Sequence, residues 1–244
     1  MRTLRSIVFY LHNDDFRGDA PSDFMFRSCY VGHYLSRRLR SVGRASGVAS
    51  CLFVQGRSTS AEPTLKNGQL IVPVEHDVAR FKALDDNGRH ELYLDMLARA
   101  LRSCEGRFEL PLATIEAEVS AFRQGGYREE WIQKRRGFRT LGISASLACT
   151  LNAREFSCRL LVEKRRALVL DQELLIAKPD ELIFAHHARD LQLVGDSLVV
   201  VDWRGRPKYE LPLERLSQAG VSASKITDRR CSHVGIEGCN GWIY

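Results

Sequence analysis

The 244-residue sequence contains no apolar run approaching about 18 residues, no internal repeat and no low-complexity tract. Because a membrane-spanning helix needs a run of that length, we expect no membrane association. The apolar run at residues 7–11 is too short for a secretory signal peptide, and no small-residue cleavage site follows it. We interpret that run as a first strand and expect a cytoplasmic protein.

The sequence also lacks the short motifs of several common enzyme classes. It has no nucleophile elbow, phosphate-binding loop, dinucleotide-binding fingerprint or protein-kinase signature. These absences favour a binding protein over an enzyme. We therefore predict no catalytic residues and no cofactor.

The seven cysteines are an odd number and lie far apart in the sequence. Four of them, at positions 29, 51, 149 and 158, fall on faces predicted to be apolar. This distribution indicates reduced, buried thiols in a cytoplasmic protein and not a disulfide framework.

The C-terminal segment 221–244 shows no periodicity, and we predict an irregular tail there. It contains Cys231, His233 and Cys239. A structural zinc site has two close pairs of ligands, and a fourth ligand is missing here. The spacing therefore does not favour a metal site.

Residues 142–213 carry the most regular pattern of the chain. Apolar residues occupy every second position over residues 143–151 and again over residues 156–162, with a polar break between them. A period of two indicates half-buried strands, and the short break predicts an antiparallel hairpin. Further strands are predicted at residues 168–176, 182–184, 191–193, 198–201 and 209–213. The pattern therefore predicts an antiparallel meander of six or seven strands with one apolar and one wet face.

The first half of the chain alternates between strand and helix signals. It predicts strands at 48–54 and 70–74 and a helix after Ser22 that ends near Gly43, with Val31 and Leu35 on its buried stripe. The pattern predicts further helices within residues 75–104, and another that follows Pro111, with Thr114 as its cap, and ends at the glycine pair 125–126. Residues 127–138 are interpreted as a bridge to the sheet.

This order predicts an α+β fold in which helices from the N-terminal half cover the apolar face of the antiparallel meander. We divide the chain into an α/β part at residues 1–124, the meander at 125–220 and the tail at 221–244. The three parts are expected to form one compact unit.

A polar loop after the first strand offers candidate metal ligands. His12, Asp14, Asp15 and Asp19 supply an imidazole and three carboxylates within a few residues, and hard cations prefer such oxygen ligands. The spacing matches no established metal motif, and acidic loops are commonly just solvated. A metal-dependent hydrolase that uses this loop remains an alternative.

Arginine clusters raise a second alternative, RNA binding. Basic residues concentrate at 37–40, at 134–136 and at 164–166, and the net charge is +6. Nucleic-acid binding favours such clusters on one face with aromatic residues between them. Solvated turns and helix faces account for the clusters better, so we do not expect nucleic acid as a partner.

Candidate partner-binding residues are aromatic and arginine side chains near the start of the meander. Tyr127, Arg128 and Trp131 follow the paired glycines, and Trp203 stands at a predicted tight turn. Trp, Tyr and Arg dominate the energetics of protein interfaces, so these four are candidate anchors. The alternative interpretation is that the aromatic residues pin the crossover to the sheet.

One resemblance accompanies these residues, over the second half of the chain. It rests on Gly125-Gly126-Tyr127, Glu130-Trp131, Phe138 and Lys178-Pro179-Asp180-Glu181. With these residues the chain resembles uncharacterised bacterial cytoplasmic proteins, and some similar α+β proteins are immunity partners of secreted polymorphic toxins. The resemblance implies a protein that binds the effector domain of a cognate toxin and blocks it by direct contact, with no catalytic residues.

Overall fold

The computed structural model describes residues 3–42, 48–179 and 186–218. It confirms an α+β fold. The strands are β1 (Ser6–Leu11), β2 (Cys51–Arg57), β3 (Thr64–Lys66), β4 (Gln69–Glu75), β5 (Glu129–Phe138), β6 (Ile143–Leu151), β7 (Phe156–Lys164), β8 (Ala167–Ala177), β9 (Asp190–Val194), β10 (Ser197–Val201) and β11 (Pro207–Pro212). The helices are α1 (Ala20–Val42), α2 (Val78–Ala83), α3 (Asp86–Cys104), α4 (Leu112–Gln124) and α5 (Leu213–Gln218).

The N-terminal strands form a four-stranded sheet in the order β1-β2-β4-β3. Strands β1, β2 and β4 are parallel, and β3 pairs antiparallel with β4. The sequence analysis predicted no strand between those at residues 48–54 and 70–74, so β3 is an addition to the prediction. The signal was present at Asn67-Gly68, which joins β3 to β4 in a two-residue turn and is the preferred composition for such a turn.

Helix α1 lies against β1, the edge strand of this sheet. The backbone N–H of Ile7 donates a hydrogen bond to the hydroxyl oxygen of Ser36 (2.9 Å). A Cβ at Gly32 would lie only 2.7 Å from the carbonyl oxygen of Ile7. The absence of a side chain at Gly32 therefore allows α1 to lie close to the backbone of β1. Helix α1 thus covers an edge that would otherwise expose unpaired backbone groups.

The second half of the chain forms two antiparallel sheets. One has the order β5-β6-β7-β8 and the other the order β11-β10-β9, whereas the alternation predicted one continuous meander. The predicted strand at residues 182–184 and the predicted tail at 221–244 lie outside the described residues. The bridge predicted at 127–138 was wrong, because Glu129–Phe138 is a strand that pairs with β6 along its length.

A single apolar core runs through both halves of the chain. The inner face of the β5–β8 sheet contributes the residues that the alternation placed there, namely Ile143, Ala145, Leu147, Cys149, Leu151, Phe156, Cys158, Leu160 and Val162. A buried carboxylate at the start of β5 connects this sheet to α1. Glu129 forms a hydrogen bond with the His33 ring and an ion pair with Arg37. The helices of the first half therefore cover one face of the meander, as predicted.

The predicted start and the predicted end of helix α4 compare differently with the structure. Helix α4 begins at Leu112 with Pro111 at its N-cap, so the cap predicted at Thr114 was wrong and Thr114 lies within the first turn. Proline suits that position because its φ is compatible with a helix and its missing N–H has no helical partner. The predicted helical end at the glycine pair is confirmed, because α4 ends at Gln124 and Gly126 has a left-handed φ of 68°.

Candidate protein-binding surface

We call the face of the β5–β8 sheet opposite the core the outer face. Its residues follow from the strand register, in four rows that each cross the sheet from β5 to β8. The rows are Gly137, Ser144, Glu163 and Leu168; Arg135, Ser146, Leu161 and Asp171; Ile132, Ala148, Arg159 and Glu173; and Glu130, Thr150, Ser157 and Ile176. Strand β6 contributes only small side chains to it, so the centre of the face is level.

Large apolar side chains stand exposed on both margins of the outer face. Leu168 and Ile176 on β8 are 56% and 54% exposed, and Ile132 on β5 is 45% exposed. Leu161 lies between these margins and is half-buried. Burying such side chains against a partner is favourable by about 25 cal/mol per Å² of apolar surface. The outer face therefore combines a centre of small side chains with apolar margins that suit a protein interface.

Three charged residues of the outer face, Arg159, Asp171 and Glu173, are paired with one another. The guanidinium of Arg159 donates to Asp171 (Nε to Oδ1, 2.7 Å), and this hydrogen bond raises the pKa of Arg159 above its ordinary value. Arg159 also lies 3.8 Å from Glu173. The Nε–H of Arg135 donates to the hydroxyl of Ser146 (3.0 Å) and covers it. These pairs lower the desolvation penalty that a partner would meet on docking.

Strand β8 is also the edge of this sheet. It pairs with β7 on one side, and within the described ranges no strand pairs with its other side. A long edge strand presents a row of backbone donors and acceptors to which an extended segment of another chain can pair. Strand β8 therefore extends the outer face at the margin that carries Leu168 and Ile176.

The turn between β7 and β8 has an unusual composition. Arg165 and Arg166 form a two-residue turn, and both adopt left-handed backbone conformations, with φ of 52° and 68°. Asn67-Gly68 forms the equivalent turn in the N-terminal sheet, with φ of 53° and 82°. The left-handed region costs an ordinary residue about 1 kcal/mol or more, a penalty that glycine escapes and asparagine largely tolerates. The arginines thus occupy a turn whose backbone disfavours them.

The structure brings two arginine clusters of the sequence to the same end of the sheet. Residues 134–136 lie near the C-terminal end of β5. Residues 164–166 comprise the last residue of β7 and the turn that follows it, and β6 lies between β5 and β7. Arg139, which follows β5, joins Arg165 and Arg166 around a recess of about 310 Å³. We call this the arginine recess; it is lined by Gly137, Phe138, Arg139, Gly142, Ile143, Ser144, Glu163, Arg165 and Arg166.

The basic residues at this end differ in whether they are neutralised. Lys134 and Arg136 pair with Asp190 at 2.9 and 3.9 Å. Although burial opposes ionisation of Asp190, the hydrogen bond from Lys134 and the charge of Arg136 keep its pKa below the ordinary value. By contrast, Arg139, Lys164, Arg165 and Arg166 are exposed and form no ion pair within the described part of the chain. Positive charge is therefore available at the arginine recess.

Two of the four predicted anchors are packed into the protein. The ring of Tyr127 stacks on His90 (4.3 Å between centroids), and its hydroxyl donates to Glu91. Trp131 lies on the inner face of β5, with the Arg37 guanidinium 4.7 Å above its ring and Phe156 6.0 Å away. Both side chains are half-buried. Both side chains are therefore engaged within the protein, as in the alternative interpretation that the aromatic residues pin the crossover to the sheet.

The other two predicted anchors are exposed but separated. Arg128 is exposed and pairs with Glu130 at 2.7 Å. Trp203 is 54% exposed at the β10–β11 turn, where Arg204 lies 4.5 Å from its ring. The prediction missed Leu168 and Ile176, although the sequence carried a signal for them. Residues 168–176 are apolar at both odd and even positions, which is more apolar surface than one buried strand face accommodates.

The acidic loop lies where the parallel strands of the N-terminal sheet end. The Asp15 carboxylate already has hydrogen-bond partners there, because it accepts from the Ser58 backbone N–H (2.7 Å) and from Arg57 (2.8 Å). The Ser58 amide, together with Arg57, holds the pKa of Asp15 below its usual value. Asp14 and Asp19 are exposed, and His12 lies 3.7 Å from the Asp14 carboxylate. In residues 3–42, 48–179 and 186–218 no group of three or more His, Cys, Asp or Glu side chains is arranged to hold a metal ion.

The cysteines in the described ranges are all free thiols, and Cys104, Cys149 and Cys158 are buried. This agrees with the prediction of reduced thiols for that part of the chain. The set formed by Cys231, His233 and Cys239 lies outside the described residues.

A third arginine cluster lies on α1 and is engaged with carboxylates. Arg37 pairs with Glu129 at 2.7 Å, and Arg38 lies 3.7 Å from Glu118. This cluster therefore contributes less free positive charge than the arginine recess.

None of the described helices is both long and apolar enough to cross a membrane. Comparison of the chain with protein-family models, curated proteins and solved structures found no match. The surface geometry therefore carries the functional argument.

Proposed function

We propose that this chain is a protein-binding inhibitor of the immunity type, which docks on a bacterial toxin and blocks it by direct contact. The observation that supports the proposal is the outer face, with exposed apolar side chains along both margins and an edge strand beside it. Inhibition by contact needs a preformed surface with a few apolar anchors and no catalytic group. The proposed site of action is the cytoplasm, which the free thiols favour.

The size of the outer face agrees with part of a protein interface. Four strands about 4.8 Å apart and four rows of residues give an area on the order of 500 Å². A standard interface buries about 800 Å² on each partner. A partner would therefore extend beyond the face, and the β8 edge and the Arg165-Arg166 turn are the adjoining surfaces.

The two alternative functions have less support. The hydrolase requires free carboxylates, but Asp15 is already held by Arg57 and Ser58. Nucleic-acid binding at the arginine recess would be favoured by an exposed ring among its basic residues, but Phe138, the aromatic residue that lines the recess, is only 8% exposed. We therefore favour a protein partner.

The test is co-expression with the protein encoded by the neighbouring gene, read as protection of growth and as co-purification. Leu168→Asp and Ile176→Asp each place a charge on the outer face without disturbing the core. We expect each to weaken binding at least about tenfold and to reduce protection. Leu65→Asp is the matched control, because Leu65 is 42% exposed on β3 in the other sheet.

Two results would count against the proposal. One is a neighbouring protein that neither harms growth nor binds this chain. The other is protection and binding that survive Leu168→Asp and Ile176→Asp unchanged. Circular dichroism of each variant would establish that the fold is retained.

A further inference from the structure

We propose that the arginine recess receives an acidic segment of the partner protein, so that carboxylates bind at Arg139, Arg165 and Arg166 while apolar side chains pack on the outer face. This inference rests on the proposed function and adds the chemistry of the partner. It makes the recess the part of the surface that selects the partner, and the apolar margins the part that supplies most of the affinity.

The charges of the recess support an anionic occupant. Three guanidinium groups and one carboxylate, Glu163, line it, which leaves a net charge of +2. None of the three arginines forms an ion pair within the described ranges, so each retains its donors for a ligand. Arginine presents a planar set of donors that matches a carboxylate in a bidentate arrangement.

The backbone of the turn provides an independent argument. Arg165 and Arg166 both adopt left-handed conformations, whereas the same chain builds the β3–β4 turn from Asn67-Gly68. A turn whose only role was to connect two strands would be better served by residues that tolerate this conformation. Residues held in disfavoured backbone regions cluster at functional sites, and the property that these two side chains supply is positive charge.

The position of the recess links it to the apolar margin. Gly137, Ser144 and Glu163 line the recess and belong to the same row of the outer face as Leu168. Leu168 is therefore the next residue across the sheet from the recess. A segment seated among the arginines would continue directly onto the exposed apolar margin of β8.

The recess suits an acidic protein segment better than nucleic acid. Phe138 is buried, and the Arg136 guanidinium lies 5.7 Å from the centre of its ring, so no base can stack on it. Glu163 would repel a continuous phosphate backbone, whereas a peptide offers N–H donors to it. Arg37 and Arg38, which could have extended a basic track, pair with glutamates on the other side of the sheet.

The experiment compares two labelled probes, a short glutamate-rich peptide and a single-stranded oligouridine, by fluorescence anisotropy at low and at physiological salt. The main variant, which we call the turn variant, combines Arg165→Asn with Arg166→Gly. It removes two charges and gives the turn its preferred composition. The control combines Lys66→Gln with Lys82→Gln, which removes two exposed charges elsewhere. Circular dichroism would confirm that both variants fold.

We expect the peptide to bind the native chain and to bind the turn variant about tenfold more weakly, while the control binds like the native chain. The inference is overturned if the turn variant binds the peptide unchanged, or if no peptide binds. Tighter binding of the oligouridine, lost in the turn variant, would also overturn it and assign the recess to nucleic acid.

Failure of this inference is distinguishable from failure of the proposed function. If the recess has no role, the turn variant keeps its affinity for the toxin while Leu168→Asp loses it. If the proposed function is wrong, no toxin binds to the native chain, whatever the peptide does.

Discussion

The turn between β7 and β8 allows a sharp prediction, because the chain contains its own reference for the same geometry. Arg165 and Arg166 occupy left-handed conformations that Asn67 and Gly68 occupy in the β3–β4 turn. Exchanging the arginines for Asn and Gly should therefore stabilise the fold while it removes the charge. Relief of repulsion among the neighbouring cations would also raise stability, but that part is screened by salt, so the gain from the backbone is the part that persists at high ionic strength.

The magnitude follows from the backbone preferences of each residue. A left-handed conformation costs an L residue other than glycine about 1 to 2 kcal/mol, and asparagine less. Glycine gives back about 0.5 to 1 kcal/mol through the greater freedom of the unfolded chain. The net gain is about 1 kcal/mol for the pair, which corresponds to a rise in Tm of about 2 to 4 °C for a chain of this size.

The assay is urea unfolding followed by circular dichroism, with the midpoint and the slope both recorded. The midpoint should rise and the slope should stay the same, because the surface exposed on unfolding is unchanged. The converse exchange, Asn67→Arg with Gly68→Arg, should lower the midpoint, with a loss in the free energy of unfolding of similar size. If the variant with Arg165→Asn and Arg166→Gly is less stable than the native chain, or equally stable, backbone strain at this turn is refuted.

Three further predictions concern stability. Burial lowers the pKa of His76 to about 4, whereas the same imidazole in the unfolded chain has a pKa near 6.5. The unfolded chain therefore binds more protons as the pH falls, and the free energy of unfolding should decrease by about 1 to 2 kcal/mol between about pH 7 and pH 5. Urea titrations of His76→Leu should show no such decrease. Burial of Asp202 opposes its ionisation, but the backbone N–H groups of Arg206 and Arg204 outweigh it and lower the pKa to about 2. Asp202→Ala should therefore lower the urea midpoint at neutral pH, and the difference from the native chain should shrink between about pH 4 and pH 2; a constant difference would contradict this account. Gly32→Ala should lower the free energy of unfolding by about 1 to 3 kcal/mol, because its Cβ would lie 2.7 Å from the Ile7 carbonyl oxygen, whereas Gly137→Ala meets no atom within 4 Å and serves as control.

Much of the fold could be predicted from the sequence where one face of an element is buried and the other is wet. The alternation over residues 143–151 matches β6, and the run at 168–176 matches β8 to within a residue at each end. Strand β5 was missed because its charged residues do not alternate cleanly with apolar ones. Lys134 and Arg136 point to the same side as Phe138, and they are tolerated there because Asp190 of β9 neutralises them.

The candidate surface was less predictable, because it depends on strand register and on which edges other elements cover. The sequence places Leu168 and Ile176 on a strand, but only the register shows that they share a face with Ile132. Tyr127 and Trp131 looked like anchors because their residue types are common in interfaces. Their burial results from contacts with α1 and α3, which residue type alone does not reveal.

The most direct test of the account is hydrogen exchange of the native chain with and without the proposed toxin partner, the product of the neighbouring gene. Backbone amides on the unpaired edge of β8 should exchange quickly in the free protein and become protected in the complex, together with the turn at Arg165-Arg166. Protection confined to the loop after β1 or to the helices of the N-terminal half, with β8 exchanging as in the free chain, would contradict the claim that the outer face is where this protein binds its partner.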